Sequence, residues 1–484
     1  MTPGKVWLVG AGPGDAGLLT CRGREVLECA DVVVYDRLAG DGVLSLIPPQ
    51  AQRINVGKSG GCHPVPQEEI EKILVNQALQ GKKVVRLKGG DPFLFGRGGE
   101  EMEQLCAHGI ACEVIPGVTS AIAAPECAGI PVTHRGRANS LHIITAHTRE
   151  GGIAEQNYAA LAQLGGTLVF LMGVSSLPEI CSRLLKEGLA PRTPVSAVQW
   201  GTTSRQRRLT GELENFAEKA AQLGLTPPAV IVVGAVADLG ETLDWHDTLP
   251  LRSVKIVITR PRKRQGRLSR MLRDLGAEVV ELPVIETLPL DQALPPLDAS
   301  WIAFTSVTGV ECFFSRLAHE GRDVRSMGTA KIAAVGPATA QALTDRGLCV
   351  DLIPQVYDGL HLAKELAERA GSEKILLFRA LDGAPELTKE LQRHGAPFTE
   401  VALYRTVILP APFVPRDADA VVFTSASTVR AFRQACPDLS VPYACCIGEQ
   451  TAAEARRQGF KDIGIAPKAT LEHLAATLKE HYKK

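Results

Sequence analysis

The 484-residue chain has no net charge, with 53 Lys plus Arg balanced by 53 Asp plus Glu. No global basic field is present to attract nucleic acid, so any charged ligand must be met by local clusters. Long apolar runs are also missing: none approaches the roughly 18–20 residues a membrane span requires. The twelve cysteines are scattered, with no CxxC pair and no zinc-type spacing. Their only close pair, Cys445-Cys446, lies on an apolar run and reads as core filling. A disulfide scaffold and a metal centre are therefore not expected, and reduced thiols in the cytoplasm are. The first residues, MTPGKVWLVGAGPGD, enter a strand at once, so no signal peptide is expected.

What is present is ordinary for an α/β protein: 45% hydrophobic residues, 22% charged residues and 46 glycines. The length suits about three compact domains or lobes. The most informative stretch is VVRLKGGDPFLFGRGGEE, residues 84–101. A short apolar run carrying Arg86 and Lys88 ends in Gly89-Gly90-Asp91-Pro92, and Gly96-Arg97-Gly98-Gly99 then leads into a helix. Glycines let main-chain groups approach a small molecule closely, and Asp91 stands where the crevice of an open sheet binds ligands.

The same grammar recurs along the first half. Lys5–Gly10 is a strand followed by Ala11-Gly12-Pro13-Gly14-Asp15, and Pro13 removes a donor that a dinucleotide turn would use, so GxGxxG chemistry is not expected. The run to Tyr35 ends at Asp36, NVGKS presents Lys58, and CEVIPGVTS ends at Thr119 and Ser120. Alternating strands and helices predict βαβ units and a mostly parallel sheet, with Pro13, Asp36, Lys58, Gly89–Asp91 and Thr119 on one rim. A second α/β portion carries Met172, Gly201 and Ala229 at its strand ends. His134, Arg135 and Arg137 with Arg97 form a basic group suited to an anionic substrate. Asp36 could equally cap its own turn, and Lys58 could be a solvated strand-end lysine. Cys62-His63 reads as a loop detail.

GAGPGDAGLLT, DVVVYDRL, VGKSG, VRLKGGDPFLFGRGGEE, IPGVTSA and GIPVTHR, in this order, resemble uroporphyrinogen-III C-methyltransferase, a tetrapyrrole methylase, over residues 4–245. The resemblance implies S-adenosyl-L-methionine bound by Pro13, Gly89, Gly90, Asp91, Leu94, Thr119, Ser120, Met172, Gly201 and Ala229. It implies Asp36 as proton acceptor and Lys58 as proton donor, two methylations giving precorrin-2, and a homodimer formed through this half. Arg97, His134 and Arg135 are expected to meet the substrate carboxylates. Some relatives carry an added dehydrogenase and chelatase portion; this chain starts directly at the methylase strand, so neither activity is expected.

Residues 246–253 are expected to link residues 1–245 to residues 254–484, where the pattern restarts as an internal repeat. KIVITR at 255–260 matches KILLFR at 374–379, and AFTS at 303–306 matches VFTS at 422–425. VGPAT at 335–339 matches IGEQT at 447–451 after a shorter loop. Each copy offers strand-to-helix turns rich in Gly, Ser and Thr: Thr305-Ser306 and Gly336, then Thr424-Ser425 and Gly448. Such turns bind carboxylates through hydroxyls and free N–H groups, though any single one is also an ordinary helix cap.

ITRP, FTSVTGV, AVGPATAQAL, PQVYDG, ALYRT, FTSAS and IGEQTA resemble uroporphyrinogen-III synthase more loosely, over about residues 254–480. The resemblance implies two interleaved lobes, 254–287 with 408–484 and 288–405, and cyclisation of hydroxymethylbilane with inversion of the last ring. Arg260, Thr305, Ser306, Gly336, Thr424, Ser425 and Gly448 are the expected substrate contacts. Tyr404 is expected to assist hydroxyl departure, with interdomain packing as its plain alternative. No Ser/His/Asp or Cys/His set is evident, as suits an enzyme that steers ring closure. The expected fold is therefore a two-part tetrapyrrole-methylase α/β unit followed by a bilobed, duplicated α/β uroporphyrinogen-III-synthase-like unit. The competing expectation is an active methyltransferase joined to a non-catalytic module that binds a tetrapyrrole or another anion.

Overall fold

The computed structural model describes residues 2–36, 38–57, 65–146, 156–261, 266–411 and 413–483. The first strands are β1 (Lys5–Gly10), β2 (Val32–Tyr35), β3 (Gln52–Asn55), β4 (Val84–Lys88) and β5 (Ala111–Ile115). They form one wholly parallel sheet in the order β3-β2-β4-β1-β5. Val6, Leu8, Val33, Val34, Val84, Val85 and Leu87 are buried on both faces, as expected where helices cover a parallel sheet. The first α-helix is Cys21–Glu28. Thr20 caps it by accepting from Gly23 N at 3.1 Å, which leaves Leu18 in a short 3-10 turn.

The second sheet contains β6 (Leu141–Thr145), β7 (Thr167–Leu171), β8 (Pro194–Gln199), β9 (Arg207–Glu212) and β10 (Ala229–Val233), in the order β6-β7-β10-β8-β9. Only β6 and β7 run parallel; β10 is antiparallel to both neighbours and β9 pairs antiparallel with β8. The mostly parallel pairing expected of the first portion holds in the first sheet, and the second sheet is mixed. β9 reads RRLTGE and carries no apolar run, because it lies at the sheet edge with one buried side chain, Leu209. Helix Ser120–Cys127 packs its small residues Ala121 and Ala124 against Val169, Val198 and Val230 of this sheet.

The third sheet joins β11 (Lys255–Ile258) and β12 (Glu278–Glu281) to three strands from the end of the chain. The fourth contains β13 (Ile285–Pro289), β14 (Trp301–Phe304), β15 (Lys331–Ala334), β16 (Ile375–Ala380) and β17 (Phe398–Ile408), in the order β13-β17-β16-β14-β15. The late strands β18 (Ala420–Phe423), β19 (Tyr443–Cys446) and β20 (Asp462–Ile465) complete the third sheet as β12-β11-β18-β19-β20, all parallel. The chain divides into two compact units, Met1–Pro283 with Ala411–Lys484, and Val284–Pro410. The core of the second unit centres on Phe304, Phe313 and Phe378, whose rings lie 4.8–5.5 Å apart. Truncating one of them to Ala costs about 3–5 kcal/mol.

The duplication extends to backbone dihedrals. Ser306 (φ −165°, ψ 156°) and Ser425 (φ −166°, ψ 158°) cap their helices through Gly309 N and Thr428 N. Gly336 and Gly448 begin the next helix of each copy in the same extended conformation. The segment 246–253 is packed rather than loose. Leu251 is fully buried with Val254 and Ile256, and neighbouring Trp245 donates to Glu126 O at 3.0 Å.

Candidate active site

Parallel pairing brings the carboxyl ends of β1, β2, β4 and β5 to one edge. The tightest point is built from glycines. Gly12 and Gly90 exchange backbone hydrogen bonds at 3.2 and 2.7 Å, and a Cβ on Gly10 would sit 2.6 Å from Gly90 O and collide with the backbone of Gly117. Gly89 and Gly90 are therefore where the sequence puts them, with Gly90 at φ +68° facing the Thr119–Ser120 turn. Thr119 caps the helix Ser120–Cys127 by accepting from Ala121 N.

Asp91 has a clear local role. Its Oδ1 accepts from Phe93 N (2.9 Å) and Leu94 N (3.1 Å), and its Oδ2 accepts from Gly117 N (3.1 Å). The carboxylate thus shapes its own loop and fastens it to the loop after β5.

Arg86 and Lys88 point inward to a carboxylate. Both side chains are buried, and both reach Glu101 Oε1, at 3.1 and 2.9 Å; Gln67 adds a third donor to the same oxygen. Glu101 is fully buried because it has these partners on β4. Burial, then the neighbouring Arg86, pushes the Lys88 pKa down, while Glu101 opposes the shift. Arg86 also lies 3.7 Å from Asp36 Oδ2, so this internal cluster extends to the partly exposed carboxylate at the end of β2. Asp36 accepts in addition from Leu38 N at 3.0 Å, so the turn-capping reading holds alongside any chemical role. Lys58, Cys62 and His63 lie outside the described residues.

In the second sheet Leu171 pairs with Val230 and Gln199 with Ala229, so Met172, Gly201 and Ala229 lie at one end. That end meets the first sheet. A Cβ on Gly201 would collide with Ala124, and Asp15 N donates to Thr202 Oγ1 at 3.4 Å beside Pro13-Gly14. Among the described residues six non-glycine residues have positive φ, and five of them (Phe95, Arg97, Met172, Trp200 and Thr202) lie in these loops. Backbone held in that region costs on the order of 1–3 kcal/mol per residue and concentrates at functional sites.

The cations expected to receive an anionic substrate are arranged differently. Arg97 is exposed, but its guanidinium is engaged by Glu100 through bonds of 3.0 and 2.6 Å. Arg137 is committed to Asp238 (2.6 Å) and Ala235 O (2.8 Å), because the turn 134–138 folds against the end of the second sheet. His134 and Arg135 stand on that exposed turn, closed by paired backbone groups of His134 and Ala138. Sequence reasoning named Met172, which is 48% exposed, but missed three other apolar side chains: Leu38, Phe93 and Phe95 are 55%, 53% and 41% exposed. In a chain with few aromatics, two exposed phenylalanines in one glycine loop were the available signal.

In the second half Tyr404 is buried in the fourth sheet at an irregularity between β16 and β17. Its hydroxyl lies 2.8 Å from Ser306 Oγ, which is also the helix cap. Thr305, Ser306 and Gly336 stand at strand-to-helix turns of this unit; Thr424, Ser425 and Gly448 stand at the equivalent turns of the third sheet, and Arg260 follows β11. Among the described residues no group of three or more His, Cys, Asp or Glu is placed to hold a metal ion, and no helix is long and apolar enough to cross a membrane.

The tetrapyrrole (corrin/porphyrin) methylase family model matches residues 5–217, and the uroporphyrinogen-III synthase HemD family model matches residues 266–476. A porphyrin biosynthesis protein HemD of Ruminiclostridium josui is 43% identical, covering 99% of this chain and 98% of the relative. A uroporphyrinogen-III C-methyltransferase of Bacillus subtilis is 42% identical over 73% of this chain and 74% of its own length. Among solved structures, a uroporphyrin-III C-methyl transferase of Thermus thermophilus complexed with S-adenyl homocysteine is 40% identical. It covers 49% of this chain and 100% of that one, with a TM-score of 0.43.

Proposed function

Because the chain belongs to the family of porphyrin biosynthesis proteins that join a tetrapyrrole methylase to a uroporphyrinogen-III synthase, we propose that it performs two consecutive reactions. The second half, residues 254–484, closes hydroxymethylbilane with inversion of the last ring to uroporphyrinogen III. The first half, residues 1–245, methylates that product twice to precorrin-2 for the sirohaem or cobalamin branch. Both substrates are tetrapyrroles; the protein acts in the cytoplasm and pairs as a homodimer through its first half.

The observation that carries the methyltransferase reading is the junction of Gly10, Gly12, Gly90 and Gly117 into a bare backbone cradle fastened by Asp91. Side chains at Gly10 or Gly117 would collide with the neighbouring backbone, so glycine is what lets these loops close on one another with bare main chain, which fits S-adenosylmethionine held by Pro13, Gly89, Gly90, Leu94, Thr119, Ser120, Met172, Gly201 and Ala229. When bound, that group supplies an electrophilic methyl group. The protein's own work is alignment and proton handling, because a reduced pyrrole ring is already a carbon nucleophile. Asp36, partly exposed at the end of β2 and 3.7 Å from the Arg86 guanidinium, is the carboxylate positioned to accept a ring proton. Leu38, Phe93, Phe95 and Met172 cover the flat faces of the macrocycle, and Arg97, His134 and Arg135 meet its carboxylates by exchanging solvent or Glu100 for substrate.

In the second half the Ser306–Tyr404 hydroxyl pair supports a proton relay to the departing hydroxyl. The helix N-termini at Ser306 and Gly336 in one lobe, and at Ser425 and Gly448 in the other, suit carboxylates; Arg260, Thr305 and Thr424 lie beside them.

The test is to give the pure protein hydroxymethylbilane, first alone and then with S-adenosylmethionine. Isomer III alone, becoming dimethylated once the donor is added, is expected. Formation of isomer I only would leave the second half a non-catalytic binding module. Failure to methylate supplied isomer III would overturn the methyltransferase reading.

A further inference from the structure

One buried charged cluster has no part in either reaction as described. Lys255, the first residue of β11, is 5% exposed, and its ammonium lies 2.6 Å from Asp41 Oδ2 and 3.2 Å from Glu278 Oε1. Burial by itself would favour the neutral amine, but Glu278 and Asp41 outweigh it and hold the Lys255 pKa above that of an ordinary lysine. Lys255 is a fixed cation.

Both carboxylates lead back to the candidate methyl-transfer site. Asp41 opens the short helix Asp41–Leu44 that follows the Asp36 turn. Between them Gly40, at φ +56°, lies so close to Gly14 that a Cβ would collide with its carbonyl oxygen. Glu278 uses its other oxygen to accept from Ser204 N at 2.9 Å and Ser204 Oγ at 2.8 Å, on the turn that carries Gly201 and Thr202. The contact is continued by Ser45 Oγ, which accepts from Glu281 N at 3.3 Å, and by Gly42, whose Cβ would sit 3.2 Å from Val279 O. Asp41 Oδ2 further accepts from Arg416 N at 3.2 Å, and Asp419 Oδ2 accepts from Lys255 N at 2.7 Å.

We infer that Lys255 is a positioning residue for methyl transfer, fastening the Asp36 turn through Asp41 and the Gly201 turn through Glu278. The first two strands after the linker therefore complete the methyltransferase, and the two halves of the chain are not independent modules. This rests on the methyl-transfer reading above. The reason is geometric. Asp36 is held by Arg86 at 3.7 Å and by the N–H groups of Leu38 and Ala39, and Lys255 anchors the far end of the turn through Asp41. Without Lys255 the two partly buried carboxylates it neutralises lose their shared cation and repel each other, and both turns loosen. A displacement of about 1 Å at reacting groups lowers rate by about 100-fold.

The experiment compares the full-length chain with Lys255→Met and Lys255→Arg. Methyl transfer from S-adenosylmethionine to supplied uroporphyrinogen III is measured beside ring closure of hydroxymethylbilane, with thermal unfolding as a check of assembly. Expected is a fall of about tenfold or more in kcat for methyl transfer by Lys255→Met, with ring closure within about threefold and Lys255→Arg restoring most of the loss. Unchanged methyl transfer, or equal losses in both activities that follow the unfolding midpoint, would overturn the inference. If Lys255→Met does not fold, Asp41→Asn decides: it must lower methyl transfer selectively, and normal turnover overturns the inference. Absence of methyl transfer by the unaltered chain would instead sink the underlying reading, and the inference with it.

Discussion

Asp91 Oδ2 accepts the backbone N–H of Gly117 at 3.1 Å, joining the loop after β4 to the loop after β5. Asp91→Asn turns one acceptor oxygen into a donor, so either Gly117 N or the Phe93–Leu94 turn loses its partner. The expected cost is about 1–3 kcal/mol, together with weaker binding of S-adenosylhomocysteine by calorimetry. Unchanged affinity would show that the loop is shaped without this carboxylate.

Asp36→Asn keeps the shape of the turn and the acceptor for Leu38 N but removes the base. Methyl-transfer kcat is expected to fall by about 100-fold or more, with the Michaelis constant for the donor little changed. Near-normal turnover with donor and substrate saturating would leave Asp36 as a turn cap only.

Tyr404→Phe removes one hydroxyl of the 2.8 Å pair with Ser306 and leaves the buried ring in place. Slower ring closure and a larger share of isomer I are expected. Ser306→Ala also removes a helix cap, so its additional stability loss of about 0.5–2 kcal/mol identifies its separate role. An unchanged rate and isomer ratio in Tyr404→Phe would assign the tyrosine to packing.

Glu113 on β5 accepts from Lys5 Nζ at 2.6 Å and Trp7 Nε1 at 3.0 Å, tying β5 to β1, and Arg22 lies 3.4 Å away. The bond from Lys5, aided by Arg22 and Trp7, holds its pKa down from 4.5 to about 2. A depressed carboxylate stabilises the fold above its unfolded pKa, and that contribution is lost as pH falls from about 4.5 toward about 2. The gap in urea unfolding between the unaltered chain and Glu113→Gln should therefore narrow from about pH 5 downward and close near pH 2. A gap independent of pH would contradict the pairing. Added salt should narrow the gap at pH 6, because the pair is partly exposed.

Much of this molecule is legible locally. Short buried runs such as VVRLK and AVIVV, ending in glycine or proline, mark strands because a buried strand needs apolar side chains on both faces. The offset matches between 255–260 and 374–379, and between 303–306 and 422–425, announce the duplication that Ser306 and Ser425 repeat to within a few degrees of backbone dihedral. Gly90 and Thr119 are readable because positive φ and helix capping restrict residue type at the position itself. The strand RRLTGE was not readable, since an edge strand with one buried residue has no apolar signal.

The sequence by itself determined the families, the strand ends that carry the candidate site and the copy number of the second half. Each is written in short-range pattern, through hydrophobic period, turn chemistry and repeat. Only the tertiary structure decided the fate of the charges. Arg86 and Lys88, adjacent to the glycine loop in sequence, turn inward to Glu101, while Arg137 is taken up by Asp238. Lys255 meets Asp41 across 214 residues. A charge finds its partner through the packing of whole elements, and a buried charge persists only where that packing delivers an opposite one, which no local window contains.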